Sequence, residues 1–229
     1  MSQKAIQSGS EIASGDPKHA ARATRTAGRQ MRSKLLDAAS RLFKERGLTG
    51  ASISDLAAAA DAFPSQITYY FRTKEALFVE AACRDMLYVA RAAEQAALTA
   101  RSPQDYTRAL VESVTASDSV AFFAEALTLT RRRQDLAPLV ERTIARLHSE
   151  GLRAYAGQIE RHGWRSLRDP DTTSRRFWAV AIGVIVEGYA MGRSADELCT
   201  EMLRIIGEQA ASGLRVVGDS STNDGEGRP

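Results

Sequence analysis

Hydrophobic positions along this chain recur at helical rather than strand spacing. Leu35, Leu36, Ala39, Leu42 and Phe43 fall on one face of a segment predicted to be helical from about Gln30 to Arg46, with Gly47 as a left-handed stop. Ile53, Leu56, Ala57 and Ala60 follow the i, i+3, i+4, i+7 rule behind Ser52, a residue type that caps orphan amides, with Asp55 three positions on. Pro64 suits the first turn of a further short helix, expected to reach about Phe71. Thr73 then opens a helix to about Leu98, and Ser102-Pro103 starts another. Ser117 or Ser119, Pro138, Asp169-Pro170 and Ser194 mark the starts of four more. Strand-like alternation is almost absent, so the expected fold class is all-α.

The segment from Ser52 to Leu77 orders a capped helix, a tight turn, a short helix and a third helix start, which is the arrangement of a DNA-binding helix-turn-helix. Ile67 and either Tyr70 or Phe71 are expected to pack back, leaving Ser65, Gln66, Thr68 and Tyr69 outward, beside Pro64 at the helix start. Gln66 has the donor and acceptor for an adenine edge, and Thr68 a methyl and a hydroxyl for thymine or phosphate. Ser52, Tyr70 and Lys74 are expected to meet the DNA backbone, Ser52 and Lys74 because they sit at helix N-termini, which already favour anions. The same shape also occurs as a plain structural corner between helices.

The stretch from about Lys34 to Leu77 resembles the N-terminal domain of the TetR/AcrR family of bacterial repressors. The resemblance is carried by Leu36-Asp37-Ala38-Ala39, Leu42-Phe43, Gly47, Ser52-Ile53-Ser54-Asp55-Leu56-Ala57 and Tyr70-Phe71-Arg72-Thr73-Lys74-Glu75-Ala76-Leu77. It implies that the Tyr70-Phe71 pair ends the recognition helix and that Lys74 meets the DNA backbone. Two positions depart from the family pattern. Asp61 stands where a turn glycine is usual, which an aspartate tolerates; Phe63 stands where a Ser cap is common and leaves that helix without a side-chain cap.

Composition adds limits. The 229 residues, 44% hydrophobic with 6 Pro, suffice for a real core. The longest apolar run, from Phe177 to Val186, falls short of the roughly 20 residues that span a bilayer, and no signal peptide is visible, so a cytoplasmic protein without membrane attachment is expected. Cys83 and Cys199 lack metal-ligand spacing and are expected to stay reduced. No cofactor and no metal are expected, and His19, His148 and His162 make no catalytic or metal-binding set, which argues against the rival reading of an all-α enzyme. An architectural DNA binder without an effector is the nearer competitor.

The net charge is only +3, yet residues 1–34 hold seven Lys or Arg against Glu11 and Asp16. Residues 1–29 therefore read as a disordered basic arm, with Arg25 and Arg29 next to the head, which either follows the DNA or is an inert solvated tail. Residues 30–75 form the expected three-helix DNA-binding domain, 76–214 a larger helical ligand-binding and dimerisation domain, and 215–229 a disordered tail. The Arg131-Arg132-Arg133 cluster reads as a solvated helix end.

The helix from Ser174 to Gly192 is apolar on nearly all sides and so requires cover on two faces. With the last helix it predicts a four-helix homodimer interface through Ala179, Gly183, Val184, Gly188, Leu198, Met202 and Ile205, which the resemblance also implies. Two-fold symmetry then predicts a palindromic double-stranded operator. The resemblance further implies a small-molecule effector, largely apolar. Met86, Phe122, Phe123, Tyr155, Phe177 and Trp178 are candidate walls, although such residues also serve as core filling. Glu125 and Glu187 sit in apolar runs, where a buried carboxylate requires pairing or protonation; Glu187 has Arg176 or Arg193 as a partner across the dimer, or a cationic ligand.

Overall fold

The computed structural model describes residues 17–166, 168–210 and 214–216, with side chains described over 25–166 and 168–206. Within them, the chain runs through α1 (Pro17–Gly50), α2 (Ile53–Ala59), α3 (Pro64–Phe71), α4 (Lys74–Ala97), α5 (Pro103–Thr115), α6 (Ser119–Thr130), α7 (Ala137–His162), α8 (Pro170–Ala190) and α9 (Ala195–Ala210). A two-stranded antiparallel ribbon, β1 (Trp164–Ser166) with β2 (Leu214–Val216), is the one strand pairing among them. β2 takes up Arg215 and Val216 at the head of the expected disordered tail; residues 217–229 and 1–16 lie outside the described residues.

Caps written in the sequence set most of the helix starts. Ser52 Oγ accepts the Asp55 amide at 3.0 Å while Asp55 Oδ2 accepts the Ser52 amide at 3.1 Å, a closed capping box. Thr73, Ser102, Asp169 and Ser194 accept the amides of Ala76, Asp105, Thr172 and Glu197 in the same way. Gly163 ends α7 in the left-handed conformation at φ 65°. Gly47, at φ 68° and ψ 176°, breaks α1 in a region that side chains avoid.

α1 differs from expectation at its other end. It begins at Pro17 rather than near Gln30, so residues 17–29 of the expected disordered arm are helical. Their composition lacks an apolar stripe, but extending an existing helix adds one hydrogen bond per residue fixed, and Ala and Arg are good propagators. The packed part of α1 supplies the nucleus.

α4 organises the rest. Its inward residues Leu77, Phe78, Ala81, Ala82, Met86 and Val89 are buried, as is Asp85. Phe78 stands edge-on to Phe43 of α1 and to Phe122 of α6, with ring centroids 5.0 Å apart in both pairs. A single apolar cluster thus runs from Leu35 in α1 to Met202 in α9. In α2, Leu56, Ala57 and Ala60 are buried, but Ile53 is exposed, because the first helical residue points away before the inward face begins.

Candidate nucleic-acid interface and effector cavity

α3 is anchored by one face. Ile67 and Phe71 are buried against the head core, Tyr70 is half-buried, and Pro64, Ser65, Thr68 and Tyr69 are exposed, Tyr69 at 80% of its surface. Tyr69 meets Tyr70 edge-on at 4.9 Å, which props its ring outward. The outward set is the one expected, except for Gln66. Its Oε1 accepts the Phe63 amide at 2.9 Å, the half of a capping box that the third helical residue supplies, while the Phe63 side chain caps nothing. The two-point adenine contact expected of Gln66 would have to share that oxygen, which has a second lone pair, or release the Phe63 amide.

Both turns flanking α3 have positive φ. Asp61 stands at φ 51°, in the left-handed region expected of it. Arg72 stands at φ 66° and ψ −49°, and the Thr73 amide donates to the Phe71 carbonyl at 2.8 Å across it, which makes a strained γ-turn. The sequence carries no signal for this turn, since arginine has no preference for that conformation.

Two of the three expected backbone contacts, Ser52 and Lys74, lie together. Lys74 Nζ donates to the Ala51 carbonyl at 3.0 Å, so this half-buried cation braces the loop that carries Ser52. Ser52 Oγ in turn donates to Asp55 at 2.6 Å. At the far end of α3, a methyl built on Gly28 would stand 3.5 Å from the Tyr70 hydroxyl, so α1 passes beside the recognition helix. Arg25 and Arg29 are exposed on that stretch. Arg32 stacks its guanidinium over Phe71 at 5.0 Å and pairs with Glu80 of α4.

Polar ties join this head to the body. The Asp85 carboxylate is buried, accepts from Ser40 and lies 2.7 Å from Lys44 Nζ, which donates to Ser119 Oγ of α6 at 2.9 Å. Arg133 pairs with Asp135 at 2.7 Å and with Glu75 in the first turn of α4 at 3.4 Å, so one member of the basic cluster is a tie rather than a solvated end.

Behind α4 lies a cavity of about 120 Å³ between α4, α5, α7 and α8. Tyr155, Phe177 and Trp178 line it, as expected. Met86, Phe122 and Phe123 do not; they are buried core filling around Phe78. Glu125 and Glu187 are also absent from its wall and exposed on α6 and α8, although the apolar surroundings of Glu125 still push its carboxyl upward. Walls missed from the sequence include Ala90, Ala93 and Glu94 of α4, Tyr106 and Leu110 of α5, Gly151 of α7, and Arg168 and Arg176. A signal existed: Ala90, Ala93, Glu94 and Ala97 share one face of α4, and small side chains there leave the space. Gly151 allows a close approach there, because a methyl on it would stand 2.4 Å from Ser174 Oγ, which donates to the His148 carbonyl, and would make that hydroxyl shift.

The expected dimer face divides. Ala179 and Gly183 are exposed on α8, together with Val186 and Met191, and Ile205 is half-buried. Val184, Gly188, Leu198 and Met202 are buried inside the subunit, which removes them from an interface between copies. Gly188 is spent on Leu198 of α9: a methyl there would approach Leu198 Cδ2 to 2.0 Å. The small-residue stripe of α8 therefore divides, with Gly188 packed on α9 and Ala179 and Gly183 exposed.

Burial pushes the Cys83 thiol up to about 11 and raises Cys199 as well, so neither is a thiolate near neutrality. Among the described residues no group of three or more His, Cys, Asp or Glu gathers as a metal site, and no helix is long and apolar enough to cross a membrane.

Comparison with known proteins follows this division. Residues 35–81 match the family described as bacterial regulatory proteins, tetR family, and residues 103–207 match that described as bacterial transcriptional repressor C-terminal. A protein from Rhodococcus sp. RHA1, described as a transcriptional regulator, is 36% identical in sequence, with a TM-score of 0.70 over 77% of this chain and 95% of its own. A TetR-family regulator from Mesorhizobium loti shares the fold at 15% identity and a TM-score of 0.65, over 81% and 98% of the two chains. The fatty acid degradation regulator FadR from Bacillus halodurans does so at 15% identity and 0.60, over 77% and 94%. No curated protein matches.

Proposed function

We propose, for a chain that belongs to the TetR family of bacterial transcriptional regulators, that two copies grip a palindromic operator and release it when a small, largely apolar molecule fills the cavity behind α4. The observation that carries this reading is the two-faced α3, with Ile67 and Phe71 locked in the core and Ser65, Thr68 and Tyr69 bare in a row. Thr68 and Tyr69 read base edges, Ser65 and the free amide nitrogen of Gln66 assist them, and Ser52 with Lys74 meets phosphate. Arg25 and Arg29 extend the phosphate contact along α1.

Release runs through α4. Its 24 residues span about 36 Å, with Leu77 and Phe78 in the head core and Ala90, Ala93 and Glu94 on the cavity wall. A ligand that fits the cavity better when α4 is displaced shifts the pair of recognition helices away from the operator spacing, and only that differential affinity drives the change. The outward face of α8, through Ala179, Gly183 and Val186, joins the two copies.

Random-site selection with the purified full-length protein, followed by anisotropy titration, tests the reading. A palindromic consensus is expected, and Thr68→Ala with Tyr69→Ala should flatten discrimination between consensus and scrambled DNA by roughly tenfold or more while thermal unfolding is retained. Equal affinity for all duplexes would instead describe an architectural binder.

A further inference from the structure

The cavity wall carries an imbalance that defines its ligand more narrowly than apolar. Most of the surface is hydrocarbon or ring: Ala90, Ala93, Leu110, Phe177 and Trp178. The cavity is also lined by three charged side chains, Arg168, Arg176 and Glu94. The two arginines are engaged in contacts of their own. Among the described residues no hydrogen bond or ion pair reaches the Glu94 carboxyl.

Burial raises the pKa of Glu94, the Glu150 carboxylate raises it further, and Arg153 and Arg91 pull the other way without pairing with it. Tyr106, on the facing helix α5, is buried; burial first and the Glu94 carboxylate second push its phenol upward, which places the two groups in each other's field and keeps the phenol protonated. Its hydroxyl is likewise without a hydrogen bond among the described residues. A carboxylate, a phenol oxygen and aromatic faces gathered in one apolar space are complementary to a cation with a ring attached.

We infer that the effector is a small aromatic or alicyclic molecule bearing a protonated amine, its ammonium held between Glu94 and Tyr106 and its ring against Phe177 and Trp178. This rests on the reading of the cavity as the effector site. The size agrees: about 120 Å³ is close to the roughly 150 Å³ cavity that encloses a benzene ring in an engineered protein core, so one ring and a short chain fit. The ligand supplies the charge and the donors that Glu94 lacks.

Three probes of matched shape separate the possibilities: phenethylamine, 2-phenylethanol and phenylacetate, titrated by ligand-observed NMR against the full-length protein. The amine is expected to bind on the order of tenfold more tightly than the alcohol, as a charge-assisted hydrogen bond would give, and the acid most weakly. Glu94→Gln, which keeps the side chain's shape, should remove the advantage of the amine over the alcohol. Equal binding of amine and alcohol, tightest binding of the acid, an amine advantage that survives Glu94→Gln, or no binding of any probe at millimolar concentration would each overturn the assignment. The wild-type comparison holds even if the variant fails to fold. Operator anisotropy with the amine present separates the two readings: an amine that binds by this rule without releasing DNA upholds the ligand class and sinks the effector role.

Discussion

Single side chains in this protein are set by what their neighbours leave undone. The Phe63 amide stands open at the start of α3, so Gln66 turns back to it at 2.9 Å and gives it an acceptor. Asp85 is buried on a helix face that is otherwise apolar, so Lys44 reaches it at 2.7 Å from α1 and fastens Ser119 of α6 with a second donor. Lys44→Met would leave that carboxylate with the Arg84 guanidinium, 3.4 Å away, as its remaining cation and should lower stability by about 2 kcal/mol, whereas Lys44→Met with Asp85→Leu should recover most of the loss. Urea unfolding of the wild type and the two variants measures the difference. Arg72 holds φ 66° without a side-chain reason to do so. Arg72→Gly should therefore raise the unfolding free energy by about 1 kcal/mol, read as a higher midpoint in the same titration.

Elements were more legible than the sites built on them. Caps and first-turn prolines are local signals, and Ser52, Pro64, Thr73, Ser102, Asp169 and Ser194 start or cap their helices where the chain announces it. The extension of α1 back to Pro17 was hidden because helix propagation needs no apolar stripe once a packed segment has nucleated it. The cavity was half hidden for the opposite reason. Large residues such as Phe122 and Phe123 announce themselves in a sequence but fill space, while a void is made by Ala90, Ala93 and Gly151, whose side chains say little. The helical arm also makes a testable claim about salt. If α1 carries Arg25 and Arg29 along the phosphates, replacing both with alanine should weaken binding similarly for all sequences and reduce the slope of log affinity against log salt by about 2. An unchanged slope would leave residues 17–29 as structure without DNA contact.

For the whole molecule, the division of α8 is decisive. Its inner side is committed to α9 through Gly188 and Leu198, so only the outer side, with Ala179, Gly183 and Val186, is free to meet a second copy. Gly183→Glu places a carboxylate at the centre of that side and should convert a dimer at micromolar concentration into monomer in sedimentation velocity, with loss of operator binding but little change in helix content. Between the last residue of α3 and the first of α4 stand only Arg72 and Thr73, and each has its amide tied, to Thr68 and Phe71 at 3.0 and 2.8 Å. The joint has no play. On the proposed release route, a tilt of α4 at its cavity end is expected to carry α3 with it, so that this corner acts as a crank where a looser connection would have given a shock absorber.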